Sequence, residues 1–251
     1  MCTMVSEEAL RGALRAEITD ADLRDSTLQS LPQFVELLNE VDDTNIRCVA
    51  AIGSGKGALC AALTQVYGAT DSHAVDIDED ALAVASERGL TPHHVDVQDE
   101  KLPFDDGEID LVLCLGLLEH LTWYDHIITE IRRVVSDGGY CLFALPNMAG
   151  WTNRLSLLTG HQPRNVEFSQ EKPFGILSIY GTDTTVSQVH APTVGGFTAF
   201  LDYYGFQTAK TVGLYPYQRN VWIKLVDRVF SPRASLCRRF GVLAVPHDTP
   251  S

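Results

Sequence analysis

The segment VAAIGSGKG, Val49 to Gly57, runs an apolar strand into three closely spaced glycines, Gly53, Gly55 and Gly57, with Asp76 following in the next apolar run. Glycines let a backbone approach a ligand closely, and a carboxylate about 20 residues on can accept hydrogen bonds from ribose hydroxyls. Three ligands suit such a loop: the phosphates of a nucleoside triphosphate, the pyrophosphate of a dinucleotide, or the methionine end of S-adenosylmethionine (SAM). The first needs GxxxxGK followed by Ser or Thr, whose hydroxyl binds magnesium. Here Gly57 follows Lys56, and Ala50 stands where the first glycine belongs. The other two stay open on the loop alone, because Gly53, Gly55 and Ala58 satisfy GxGxxA.

Two histidines are candidate bases, since an imidazole titrates near neutral pH. His120 stands in LEHL and His190 in VSQVHAP. Each has a plainer alternative: His120 holding Glu119 or a backbone carbonyl, His190 merely solvated. The six cysteines lie far apart, with no CxxC pair and no Cys/His cluster at zinc spacing, so no metal site is expected. Cys48, Cys114 and Cys141 sit inside apolar runs and read as small buried hydrophobes.

The elements that must position these groups follow from hydrophobic period. Residues 6 to 41 read as two helices, the first capped by Ser6 with Glu7 and Glu8 in its first turn. From Ile46 to Pro146 short apolar runs (IRCVAAI, SHAVDI, TPHHVDV, IDLVLCL, GYCLFALP) alternate with helical segments. Strands that are apolar at nearly every position imply a parallel sheet covered on both faces. Residues 147 to 190 break the alternation with Gly, Pro, Thr, Asn and scattered aromatics, as a lid or substrate-binding insertion would. A helix from Thr193 to Tyr204, a strand from about Phe206, an amphipathic basic helix near Gln218 to Val229 and a strand around Gly241 to Val245 complete the sheet. The expected fold is thus α/β, a doubly wound Rossmann-like sheet of seven strands with helices on both faces, an N-terminal helical cap and an insertion after the fifth strand.

At 251 residues the chain reads as one domain, and neither a spanning helix nor a secretory signal is indicated, so the expected location is cytoplasmic. Its 33 acids against 19 bases give a net charge of −14, which argues against nucleic acid as a partner. Scarce lysine with abundant aspartate resembles the proteins of salt-adapted, especially haloarchaeal, cytoplasms. The charge is uneven: from Ala209 to Val245 seven bases face the single acid Asp227. In that stretch Val221, Trp222, Leu225, Val226 and Phe230 lie around Arg219, Lys224 and Arg228. Such a helix could make a peripheral contact with an anionic membrane or a phosphate-bearing lipid carrier. The plainer alternative packs it on the sheet edge with a solvated basic face.

Downstream segments choose between the two cofactors. LPFDDGEIDLVLCLGLLEHL, Leu102 to Leu121, followed by EIRRVVSDGGYCLFALPN, Glu130 to Asn147, resembles the class I SAM-dependent methyltransferases. The matching positions are Leu102, Pro103, Phe104, Asp106, Asp110, Glu119, His120, Arg133, Val134, Gly138 and Gly139. The looser stretch NRLSLLTGHQPRNVEFS, with His190 and the Gly205-Phe206 pair, is similar to the small-molecule branch related to ubiquinone-biosynthesis and methionine-biosynthesis-associated methyltransferases. The resemblance implies that Gly53, Gly55 and Gly57 pack against the methionine moiety and Asp76 binds the ribose hydroxyls. It further implies that Ile77 lines the adenine, Asp96 reads the adenine amino group with the backbone of Val97 nearby, and Leu115 and Gly116 touch the sulfonium end. Gln98 and Asp99 are competing registers for Asp96, whose alternative is to cap a solvated turn.

The expected activity is methylation of an oxygen on a small molecule, a sugar or other glycan, or a lipid-linked intermediate, in a chain divided into N-terminal helices (1–45), SAM-binding core (46–146), insertion (147–190) and C-terminal sheet (191–251). One residue departs from the pattern: Ala51 stands where most relatives carry an acid that helps hold the cofactor's amino group. It leaves open a catalytically silent SAM-fold binding protein as the alternative, with an NAD(P)-dependent oxidoreductase a further one.

Overall fold

The computed structural model describes residues 5–17, 30–42, 45–169, 171–177, 188–215 and 220–247. Two helices lead, α1 (Glu7–Glu17) and α2 (Leu31–Leu38). Ser6 caps α1, its hydroxyl accepting from the Ala9 amide at 3.0 Å. Then follow β1 (Cys48–Ile52), α3 (Ala58–Tyr67), β2 (Asp71–Asp76), α4 (Glu79–Glu87), β3 (Thr91–His94), β4 (Ile109–Leu115), α5 (Asp125–Val134) and β5 (Val135–Pro146). The second half adds α6 (Trp151–Leu158), α7 (Val194–Tyr203), β6 (Phe206–Leu214), α8 (Val221–Phe230) and β7 (Arg239–Pro246).

The seven strands form one sheet in the order β3-β2-β1-β4-β5-β7-β6. It is mixed, because β7 enters antiparallel between β5 and β6. Alternation along each strand sends neighbours to opposite faces. Val49 and Ala51 join an apolar cluster under α1, α2, α3 and α4, while Ala50 and Ile52 join one under α5 and α7. Both faces are therefore buried, the physical reason that the strands read as continuous apolar runs.

The insertion after β5 holds α6 and is anchored by Asn147, which is fully buried. Its Nδ2 donates to the carbonyl of Cys237 at 2.8 Å and its Oδ1 accepts from the Ala149 amide at 3.0 Å. Asn153 donates to the Asn147 carbonyl and to Asn165 Oδ1, and Asn165 donates to Gln188 Oε1. This chain of amides crosses the insertion toward His190. Among the described residues no helix is long and apolar enough to cross a membrane. Gln218 and Arg219 of the basic helix, and Cys2 among the cysteines, lie outside the described residues, as do 170 and 178–187 of the insertion.

Candidate active site

Strand order reverses between β1 and β4, and ligands of open α/β sheets bind outside the carboxyl ends of the strands at such a point. The glycine loop sits there, stitched to β2. The amides of Gly53 and Ser54 donate to the Val75 carbonyl at 2.9 and 3.0 Å, and that of Gly55 donates to Asp76 Oδ2 at 2.7 Å. Gly53 and Gly55 have φ of +67° and +49°, a region that side chains disfavour. A Cβ on Gly53 would lie 2.8 Å from that of Leu117, whereas one on Gly55 would meet nothing within 4 Å. Gly57 faces inward, where a Cβ would collide with Leu90 and crowd Ala85. Of the three glycines, Gly55 borders open space, Gly53 backs onto Leu117, and Gly57 secures the packing of the loop against α4 and the residues after it.

Asp76 is half-buried, and its second oxygen, Oδ1, accepts from the Asp78 amide at 3.0 Å. Each carboxylate oxygen has more than one lone pair, so these bonds orient the group and leave capacity for a diol. Beside it Ile77 is 60% exposed, an apolar side chain held at the rim of the site. The residues after β3 form the adjoining wall: the Val95 amide donates to the Asp76 carbonyl at 3.1 Å, and His94 Nε2 lies 3.0 Å from that of Ile77. Asp96 caps its own turn, with Oδ1 accepting from the Gln98 amide at 3.0 Å and its carbonyl from the amides of Asp99 and Glu100. Val97 is buried, so its side chain belongs to the core and only its backbone faces the turn. Gln98 and Asp99 are exposed.

At the mouth of β4 Leu115 is half-buried and Gly116 turns the chain with φ +76° into a 3-10 turn, Leu118–His120. Both candidate bases meet at this turn. The amides of Val189 and His190 lie 2.8 and 3.4 Å from the Glu119 carbonyl, and His190 Nε2 is 2.8 Å from that of Thr122. A carbonyl only accepts, so Nε2 carries the proton and Nδ1 is the basic nitrogen of the neutral ring. Trp123 and Tyr124 flank the imidazole, each with ring centroids 6.1 Å away. His120 is exposed on the same turn.

Three features escaped the sequence. Glu119 is buried and pairs through Oε1 with Arg239 Nη2 at 3.1 Å, a partner from β7 that only the antiparallel insertion of that strand brings near. Its Oε2 and the buried Tyr124 hydroxyl have no hydrogen-bond partner among the described residues. Burial, with Glu119 nearby, pushes the Tyr124 phenol up and keeps it neutral. Third, Arg88 at the end of α4 holds the Lys56 carbonyl in the glycine loop and the Glu17 carboxylate and carbonyl at the end of α1. LEHL gave a signal for the first; the others depend on side chains distant in sequence. The thiols offer no nucleophile here: burial pushes Cys48 and Cys60 up to about 12.

Ala51 lies in the apolar cluster on the α3 face, so a carboxylate there would replace a well-packed methyl group. By contrast, Arg133 and Asp110, two of the residues that carried the family resemblance, are internally satisfied. Arg133 donates to the carbonyls of Phe104 and Leu102 and pairs with Asp106 and Glu130, at 3.0 and 2.7 Å. Asp110 accepts from the amides of Arg47 and Cys48 at 2.9 and 3.0 Å, fastening β4 to the start of β1.

Residues 50–143 match the family model described as a methyltransferase domain. By this match the core is similar to methyltransferase domains. The match disfavours the oxidoreductase alternative that the loop had left open. A malonyl-[acyl-carrier protein] O-methyltransferase of Geobacter sulfurreducens is 28% identical over 145 residues, 57% of this chain and 54% of that protein. A ubiquinone biosynthesis O-methyltransferase of Hydrogenovibrio crunogenus is 23% identical over 141 residues, 54% of this chain and 57% of that protein. The chain thus spans about half the length of the curated relatives it matches. A putative methyltransferase of Haloferax volcanii, solved with its Trm112 activator, superposes with a TM-score of 0.64 at 14% identity, covering 96% of this chain and 99% of that one. At that identity the likeness is one of fold.

Proposed function

We propose that this chain binds SAM at the β1–β2 edge and transfers its methyl group to an oxygen of a small-molecule acceptor, with glycans and lipid-linked intermediates within the acceptor class. The observation that carries the reading is the Asp76 carboxylate, fixed by the Gly55 and Asp78 amides beside a glycine whose Cβ side is open. The residues fit the cofactor: Gly55 admits its methionine end, Asp76 takes the ribose diol, exposed Ile77 covers the adenine, and Asp96 with the Val97 backbone reads the adenine edge. Leu115 and Gly116 border the transferred group. When bound, SAM supplies an electrophilic methyl on a sulfonium. What the protein adds is chiefly placement, since an in-line approach held in position can account for much of the rate.

His190 Nδ1 takes the acceptor's proton, its ring fixed by Thr122 and its backbone by Glu119. His120, exposed on the same turn, is the second candidate for that role. The insertion, residues 147–190, holds the acceptor. The O-methyltransferases among the relatives support oxygen as the accepting atom, and the ubiquinone/menaquinone biosynthesis C-methyltransferases among them keep carbon as the alternative.

Calorimetric titration with SAM, S-adenosylhomocysteine and NADPH tests the reading. SAM and S-adenosylhomocysteine should bind and NADPH should not; NADPH binding without SAM would overturn it. Asp76→Ala should weaken SAM by about a hundredfold or more, because each charge-assisted bond to a hydroxyl contributes about 1.5–3 kcal/mol. An unchanged affinity would refute the ribose role.

A further inference from the structure

Helix α8 is mounted with its apolar side outward. Its buried positions are Ile223 and Asp227, and Asp227 pairs with Arg238 while accepting from Trp151 Nε1 at 2.8 Å. Phe230 leans on the Trp151 ring, with centroids 6.2 Å apart. Val221, Trp222, Leu225 and Val229 are 53% to 77% exposed. At about 100° per residue these four share one arc of roughly 100°, and Lys224 and Arg228, both exposed, border it. Helix α6, which meets α8 through Trp151, leaves Leu155, Leu157 and Leu158 exposed as well. Single exposed apolar side chains are ordinary; rows on two touching helices mark an interaction surface.

Charge indicates what covers it. Residues 148–166 and 221–239 together carry Arg154, Arg164, Lys224, Arg228, Arg233, Arg238 and Arg239 against Asp227 alone, in a chain of net charge −14. Arg238 is taken up by Asp227 and Arg239 by Glu119, which leaves exposed Arg154, Lys224, Arg228 and Arg233, so the face is basic to a partner. A two-fold contact with a second copy would set this basic face on itself. A short row of large apolar side chains, Trp included, edged by Lys and Arg is the arrangement that lies in the interface of a bilayer.

We propose that α8, with α6 beside it, docks the protein on an anionic lipid bilayer. Trp222 and Leu225 enter the headgroup boundary, and Lys224 and Arg228 meet lipid phosphates. Because α6 begins just beyond the carboxyl end of β5, docking sets the acceptor cleft beside the bilayer. The acceptor is then an amphiphile held in the membrane, a step that rests on the methyltransferase reading, whereas docking itself does not.

Flotation of the full chain with phosphatidylcholine vesicles, with and without phosphatidylglycerol, tests this. The protein should float with the anionic vesicles and not with the neutral ones. The double variant Trp222→Ser/Leu225→Ser should float about tenfold less or worse, with SAM affinity by calorimetry unchanged. Absent flotation of the parent protein, or equal flotation of the variant, overturns the proposal. So does light scattering that shows a dimer which the double variant makes monomeric, since a second copy then covers the face. Flotation without SAM binding would instead remove the enzymatic reading and leave the docking surface standing.

Discussion

Helices α5 and α8 are each ten residues long, apolar along one side and charged along the other, yet they are mounted in opposite senses. Helix α5 turns Ile127, Ile128, Ile131 and Val134 into the cluster beneath it, and its charged flank, Glu130 and Arg133, clamps the segment before β4. Helix α8 joins neither apolar cluster; polar contacts hold it, through Asn220 as N-cap and the Asp227, Arg238 and Trp151 group. Amphipathicity therefore states that a helix needs an apolar neighbour. It does not state that the same chain supplies one.

The largest effect should come from the anchor of α8. Asp227→Ala leaves Arg238 without its carboxylate in a half-buried setting and should cost about 3–5 kcal/mol of stability, read by urea denaturation. A loss as small as that of a surface site would mean the helix is not held by its polar side. Next comes the core side of α5: Ile131, fully buried, should cost about 2–5 kcal/mol when changed to Ala. Leu225→Ala on α8 should stay within about 0.5 kcal/mol of the parent protein, and equal losses at the two positions would erase the contrast.

A pH series sharpens the comparison from the charged flank. The hydrogen bond from Arg133 holds the Glu130 carboxyl below its ordinary value, so the bond's stabilisation is present above the unfolded carboxylate value and is lost as pH falls through the folded one. Arg133→Met should therefore destabilise most near neutral pH, and its deficit should shrink in acid. A deficit independent of pH would assign the effect to lost packing of the arginine stem.

The same contrast separates what was legible in the sequence from what was not. Leu102, Phe104, Asp106, Asp110 and Arg133 were among the positions that resembled the family, and they prove to be internally satisfied residues that join β3, β4 and α5. Their spacing is legible because each meets a partner on neighbouring elements of the same α/β unit. The cofactor residues were legible by position, as the ends of β1 and β2, but their division of labour was not. Nothing in three similar glycines shows that Gly57 faces Leu90 while Gly55 faces open space. Likewise, His120 and His190 were separate candidates in the sequence, and the amides of residues 189 and 190 on Glu119 bring them to one turn.

The sequence by itself determined the alternation of strands and helices, the burial of both sheet faces and the loop at the switch point. Those depend on hydrophobic period and local turn chemistry, which act over a few residues. Tertiary structure alone decided that β7 enters antiparallel and brings Arg239 to Glu119, and that α8 turns its apolar side to solvent. Both outcomes depend on pairings between residues far apart in the chain, Glu119 with Arg239 and Trp151 with Asp227, which no local pattern encodes.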